Sequence, residues 1–101
     1  MKEEILEEVK KTVLSIDSNA EVVLFGSHAR GDAHKHSDWD FLILTELEEG
    51  YQTEKRFWDA LYEIELKKNV IISAIIHSKK NKYLRDASPL YQNIQKEGIT
   101  I

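Results

Sequence analysis

With 101 residues, 42% of them hydrophobic and 32% charged, the chain can fill one core and has little material for a second. It has no cysteine, which excludes disulfides and thiolate zinc sites, and no apolar run approaches the roughly 20 residues that span a bilayer. The formal net charge of −4 argues against a sequence-independent grip on nucleic acid, and the acidic, amphipathic start is unlike a signal peptide, so the cytoplasm is the expected compartment.

Lys2 to Ile16 reads as a helix, because Ile5, Val9, Val13 and Ile16 recur at three- and four-residue spacing, and Asp17-Ser18-Asn19 ends it. Val22-Val23-Leu24-Phe25 is a continuous apolar run with β-branched content, the pattern of a buried strand. A polar tract from Gly31 to Ser37 leads to a second apolar run, Phe41-Leu42-Ile43-Leu44, entered at Asp38 or Trp39. A long helix is predicted over about 52–68, with Phe57, Leu61 and Ile64 as its core stripe and Trp58 and Tyr62 widening it. A third strand is predicted over 70–76, then a short helix capped by Ser78 and reaching Arg85. Ser88-Pro89 is a helix start, with Leu90 and Ile94 docking that helix and Gly98 ending it. No repeat or internal boundary is evident, so residues 1–101 are expected to form one domain. The short link between the first two strands favours antiparallel pairing, and the helix before the third permits a parallel crossover. The expectation is an α/β (α+β) fold: a small mixed three-stranded sheet flanked by helices.

The chemistry concentrates between Gly26 and Asp40. Gly26 closes a buried strand and lets backbone approach a ligand. Ser27 follows at a predicted helix start, where free N–H groups favour phosphate and the hydroxyl adds a donor. Arg30, one turn along, could bind phosphate or brace the loop. Asp38 and Asp40 are two apart, so their carboxylates share one strand face. A divalent ion such as magnesium takes one or two carboxylates plus substrate phosphates. Each element alone is ordinary: Gly-Ser after a strand is commonly a turn, and Asp-x-Asp is commonly a solvated strand start. Together they are far more specific.

The pattern Gly26-Ser27-x-Ala29-Arg30-Gly31, five residues, then Ser37-Asp38-x-Asp40 resembles the signature of the DNA polymerase β-like nucleotidyltransferases, and most closely their minimal nucleotidyltransferase branch. The motif covers 15 residues, and the order of predicted elements matches over nearly the whole chain. The resemblance implies transfer of a nucleoside monophosphate from a nucleoside triphosphate, ATP being expected, to a hydroxyl-type acceptor with release of pyrophosphate. It puts Gly26 and Ser27 on the triphosphate and makes Asp38 and Asp40 the catalytic metal ligands for Mg2+ or Mn2+. Arg30 and Ser37 match motif positions and are assigned to nucleotide binding. Minimal nucleotidyltransferases also resemble the antitoxin half of toxin–antitoxin pairs, which implies a helical HEPN-type partner or a homodimer. Adenylate transfer to a partner tyrosine would fit that pairing.

The sequence departs from that pattern in one respect. Active members usually carry a third carboxylate on the next strand, but residues 70–76 contain no Asp or Glu and only one polar side chain, Ser73; either Ser73 or Ile71 would stand at that position. The isolated protein is therefore expected to bind nucleotide and to transfer it slowly or not at all. A catalytically degenerate nucleotide-binding module is the alternative. His28, His34 and His36 flank the motif without a helical His-x-x-x-His pair, so a transition-metal centre is not expected. Trp39 should point away from the two aspartates, into the core.

Overall fold

The computed structural model describes residues 2–81 and 87–101. Helix α1 (Lys2–Ile16) leads into strand β1 (Glu21–Phe25), a four-residue helix α2 (Ser27–Arg30) and strand β2 (Trp39–Thr45). Helix α3 (Tyr51–Lys68), strand β3 (Ile72–Ser78), helix α4 (Pro89–Glu97) and strand β4 (Ile99–Thr100) follow. The sheet order is β3-β2-β1-β4, with β1 antiparallel to both β2 and β4, and β2 parallel to β3. The mixed sheet thus has one strand more than expected. Its fourth strand is a two-residue piece too short to show any alternation of its own.

Strand alternation gives the sheet two unlike faces. One carries Val22, Leu24, Trp39, Phe41, Ile43 and Ile76 against Ile5, Val9 and Val13 of α1 and Phe57, Leu61 and Ile64 of α3. This is the main core. The other face carries Leu42 and Leu44, covered by Tyr91 and Ile94 of α4. Tyr91 rather than Leu90 docks α4. Residues 91 and 94 are one helical turn apart on one face, and Leu90 is left 51% exposed. Trp58 and Tyr62 do not widen the α3 core stripe, being 40% and 55% exposed. Trp58 instead lies over the outer strand, donating from Nε1 to the Ala74 carbonyl oxygen at 3.0 Å.

Caps decide several boundaries. Ser88 caps α4 with Pro89 in its first turn, its Oγ accepting from the Tyr91 N–H at 3.4 Å. Asn69 closes α3 in the left-handed region, and the Val70 N–H turns back to the Glu65 carbonyl at 3.3 Å. That bond takes Val70 into the cap and starts β3 two residues later than its apolar run suggests. Of the expected helix from Ser78 to Arg85, a single 3-10 turn, Lys79–Asn81, is described; Ser78 Oγ accepts from the Lys80 N–H at 3.2 Å, and residues 82–86 lie outside the described residues.

Asp17, expected only to end α1, is buried and joins two elements. Its Oδ2 accepts from Thr45 Oγ1 at 2.6 Å and from the Glu46 N–H at 2.8 Å, and its Oδ1 accepts from the Asn19 N–H at 3.0 Å. Burial alone would raise this carboxyl's pKa, but the three hydrogen bonds outweigh it and hold the pKa below the ordinary value. A depressed carboxyl stabilises the fold above its unfolded pKa, and that contribution is lost as pH falls through the folded pKa. We expect Asp17→Ala to cost about 2–3 kcal/mol near neutral pH. In denaturant titrations at several pH values, the gap to wild type should narrow below about pH 4. A gap that is constant down to strong acid would rule out the charged hydrogen bonds as its source.

Candidate active site

The second sheet face is only partly covered, and its open end is where β1 finishes and β2 begins. Phe25 pairs with Asp40 across the antiparallel ladder, so Gly26 emerges beside the Asp40 side chain. The two are pressed together: Gly26 has φ 76°, and a Cβ there would overlap the Asp40 carboxylate. Backbone then turns into α2, with the Ala29 and Arg30 N–H groups donating to the Gly26 carbonyl at 3.1 and 3.0 Å. Among the described residues no side chain caps this turn. Ser27 stands at its first position, and Gly31 closes it with φ 87° in the left-handed region.

Asp38 precedes β2 and is exposed, while Asp40 is half-buried on the strand. Burial, and next the charge of Asp38, raise the Asp40 pKa above the ordinary value; His28 and Arg30 pull it back down, and Glu97 adds a smaller upward push. Two neighbouring carboxylates make a hard-oxygen donor set suited to a divalent cation plus substrate phosphate oxygens. Among the described residues, no three His, Cys, Asp or Glu side chains gather as a metal cluster. Ser73 is the parallel partner of Asp40, exposed and on the same sheet face.

The other motif residues brace the loop. Arg30 donates from Nη1 to both Glu97 carboxylate oxygens at 3.2 and 3.3 Å and from Nε to Asp32 Oδ2 at 3.2 Å. Ser37 Oγ accepts from the His34 N–H at 2.7 Å, which closes the loop before Asp38. His28 stacks on Trp39 with ring centroids 3.5 Å apart and planes 9° from parallel, and its Nε2 lies 3.2 Å from the Ser37 carbonyl oxygen. Trp39 is buried in the main core, as expected, so this stack ties α2 to β2. Glu97 is the residue that sequence reasoning missed. It accepts the Gly26 N–H at 3.2 Å as well as the Arg30 guanidinium, across a separation of 71 residues. No local pattern marks it.

Further along the same face, beyond Asp40 and Ser73, Leu42 and Ile75 floor a small cavity of about 90 Å³ that Leu90, Tyr91 and Ile94 help enclose. Among the described residues no helix is long and apolar enough to cross a membrane.

Known proteins are similar to this chain in sequence and fold. The chain is 37% identical over 81 residues to the inferred protein adenylyltransferase MJ0141 of Methanocaldococcus jannaschii, covering 78% of this chain and 82% of that protein. It is 32% identical over 77 residues to a second inferred protein adenylyltransferase of that organism, MJ0604, covering 76% and 72%. The fold is similar to that of a toxin–antitoxin crystal structure with AMP-PNP, with TM-score 0.68 and 19% identity over 93% of this chain and 69% of that one. A mutant toxin–antitoxin MntA–HpeT structure aligns with TM-score 0.60 and 18% identity over 100% of this chain and 71% of that one. The family model described as nucleotidyltransferase domain matches residues 3–100, the whole span from α1 to β4 on which Gly26, Ser27, Asp38 and Asp40 are brought to one end of the sheet, and the chain belongs to that family.

Proposed function

We propose that this protein is a metal-dependent nucleotidyltransferase that moves a nucleoside monophosphate from a nucleoside triphosphate to a hydroxyl acceptor. The observation that carries this reading is the contact of Gly26 with Asp40, which sets an uncapped helix start directly beside a pair of carboxylates. The Gly26–Ser27 turn binds the triphosphate, and Asp38 and Asp40 hold Mg2+ or Mn2+ against it. Such an ion supplies charge neutralisation at the α-phosphate and the departing pyrophosphate. An acceptor oxygen forms the new bond to the α-phosphorus, the bond to the β-phosphate bridge breaks, pyrophosphate leaves and the acceptor proton passes to a base. The inferred adenylyltransferase relatives and the solved neighbour with AMP-PNP support ATP as donor.

Ser73 beside Asp40 favours a second reading, an antitoxin-like nucleotide-binding partner of a HEPN-type protein. A serine hydroxyl is a poor base near neutral pH and a weak, neutral ligand. On that reading the intrinsic turnover is low, and a partner chain supplies what the site lacks. One experiment separates the two readings: pyrophosphate release and label transfer from α-labelled ATP with magnesium and cell lysate, for wild type and Ser73→Asp. Base assistance is typically worth about 10²–10⁴-fold, so the expected result is slow wild-type transfer raised at least about tenfold by Ser73→Asp. Fast wild-type transfer unimproved by the change would show the third carboxylate to be dispensable. The absence of labelled acceptor with both proteins would discard the transferase reading.

A further inference from the structure

We infer that Glu97 is a positioning residue for the nucleotide site, fixing the Gly26 turn and the Arg30 guanidinium in the form that receives the triphosphate; the inference rests on the nucleotidyltransferase reading above. Three observations lead to it.

The first is what Glu97 touches. Its Oε1 accepts both the Gly26 N–H and Arg30 Nη1, each at 3.2 Å, and its Oε2 accepts Arg30 Nη1 at 3.3 Å. Both partners belong to the short stretch assigned to phosphate. An isolated surface ion pair contributes little, but this carboxylate also satisfies the backbone donor of the residue packed on Asp40. The second is what this contact leaves open. With Nη1 on Glu97 and Nε on Asp32, two of the three guanidinium nitrogens are engaged, while Nη2 has no protein partner among the described residues. Arg30 is therefore braced and still has a donor to offer an anion.

The third is how firmly Glu97 is itself held. It is the last residue of α4, which Tyr91 and Ile94 dock on the sheet. Gly98 follows where a Cβ would overlap the Ile94 carbonyl and the Val23 side chain. Ile99 and Thr100 then pair with Leu24 and Val23, and the Ile101 N–H donates to the Val22 carbonyl at 3.0 Å. The carboxylate is anchored on both sides and only 29% exposed. A negative group beside Asp40 and an incoming triphosphate opposes both unless a cation is paired to it. Its pairing with Arg30, which Asp32 shares, offsets part of that charge while leaving the geometry intact.

The test compares wild type, E97A, E97Q and, as a control for losing an exposed ion pair elsewhere, D59N on α3. Calorimetry with magnesium-ATP gives affinity, and hydrogen exchange of the nucleotide-free protein reports amides 26–30. E97A should bind magnesium-ATP about tenfold more weakly and expose the Gly26 amide to exchange. E97Q, whose amide oxygen still accepts the Gly26 N–H, should recover part of both, and D59N should match wild type. Where turnover is measurable, KM should rise with kcat nearly unchanged. If E97A does not fold, E97Q decides alone, with about threefold weaker binding expected. Binding by the Glu97 variants equal to or tighter than wild type overturns this inference while leaving the functional reading standing. Failure of wild type itself to bind magnesium-ATP overturns that reading, and this inference with it.

Discussion

Replacing Asp40 with Asn should abolish metal-dependent nucleotide binding while making the nucleotide-free protein more stable. Asn keeps the shape that fits beside Gly26 and removes the charge. Binding of magnesium-ATP should fall by about a hundredfold or more, since a charged ligand of the metal is lost and not merely reoriented. The stability gain follows from the direction of the Asp40 pKa. Burial, then the charge of Asp38, hold it above the ordinary value, so the ionised form is disfavoured in the fold. A raised carboxyl contributes stability that is fully present below its unfolded pKa and is lost as pH rises through its folded pKa. Wild type should therefore lose stability from about pH 4 upward relative to Asp40→Asn, and added magnesium nucleotide should reverse the order at neutral pH. Thermal melts across pH, with and without magnesium-ATP, measure both effects. Equal metal-dependent affinity in the two proteins would remove Asp40 from the site.

Gly26→Ala should be the most damaging change that alters no functional group. The backbone there has φ 76° and ψ −158°, a region that costs an L-residue about 1–3 kcal/mol, and the new methyl overlaps the Asp40 carboxylate. Melting should drop by about 5–10 °C, and magnesium-ATP affinity should fall by about tenfold or more as the turn and the carboxylate are forced apart. The strain and the overlap can be separated. In the double variant Gly26→Ala with Asp40→Ala the overlap disappears, so it should be more stable than the sum of the two single effects predicts. Strict additivity would mean that the methyl and the carboxylate avoid each other without cost, and that Gly26 is needed only for its dihedral angles.

Much of this site was legible because its parts are local and chemically distinctive. The run Val22–Phe25 ends at a glycine, and Asp38 and Asp40 flank a tryptophan whose ring is buried in the core. The apolar runs also announced three of the four strands and the direction of their pairing. What escaped was whatever depends on distant partners. Val70 and Ile71 are as apolar as the strand they precede, but the helix cap claims Val70. Leu90 and Tyr91 serve equally well in a periodic stripe, and the position of the sheet decides between them. Trp58 reads as core until the open edge of β3 gives its indole N–H an acceptor. Glu97 looks like any solvated acid at a helix end, because its two partners lie most of the chain away.

The distance along the chain between Glu97 and Gly26 has a kinetic consequence. Gly26 meets Asp40 through a short loop between antiparallel strands, a closure with a small entropic cost that comes early in folding. Docking Glu97 requires the chain to close over 71 residues, a far larger loop. Loop size therefore favours early assembly of the acidic pair and its glycine, in an unlatched form, with the last helix completing the candidate site later. Unfolding should retrace that order: under mild denaturant α4 and β4 detach as the least stable cooperative unit, so ATP affinity fades before the core between α1 and α3 opens.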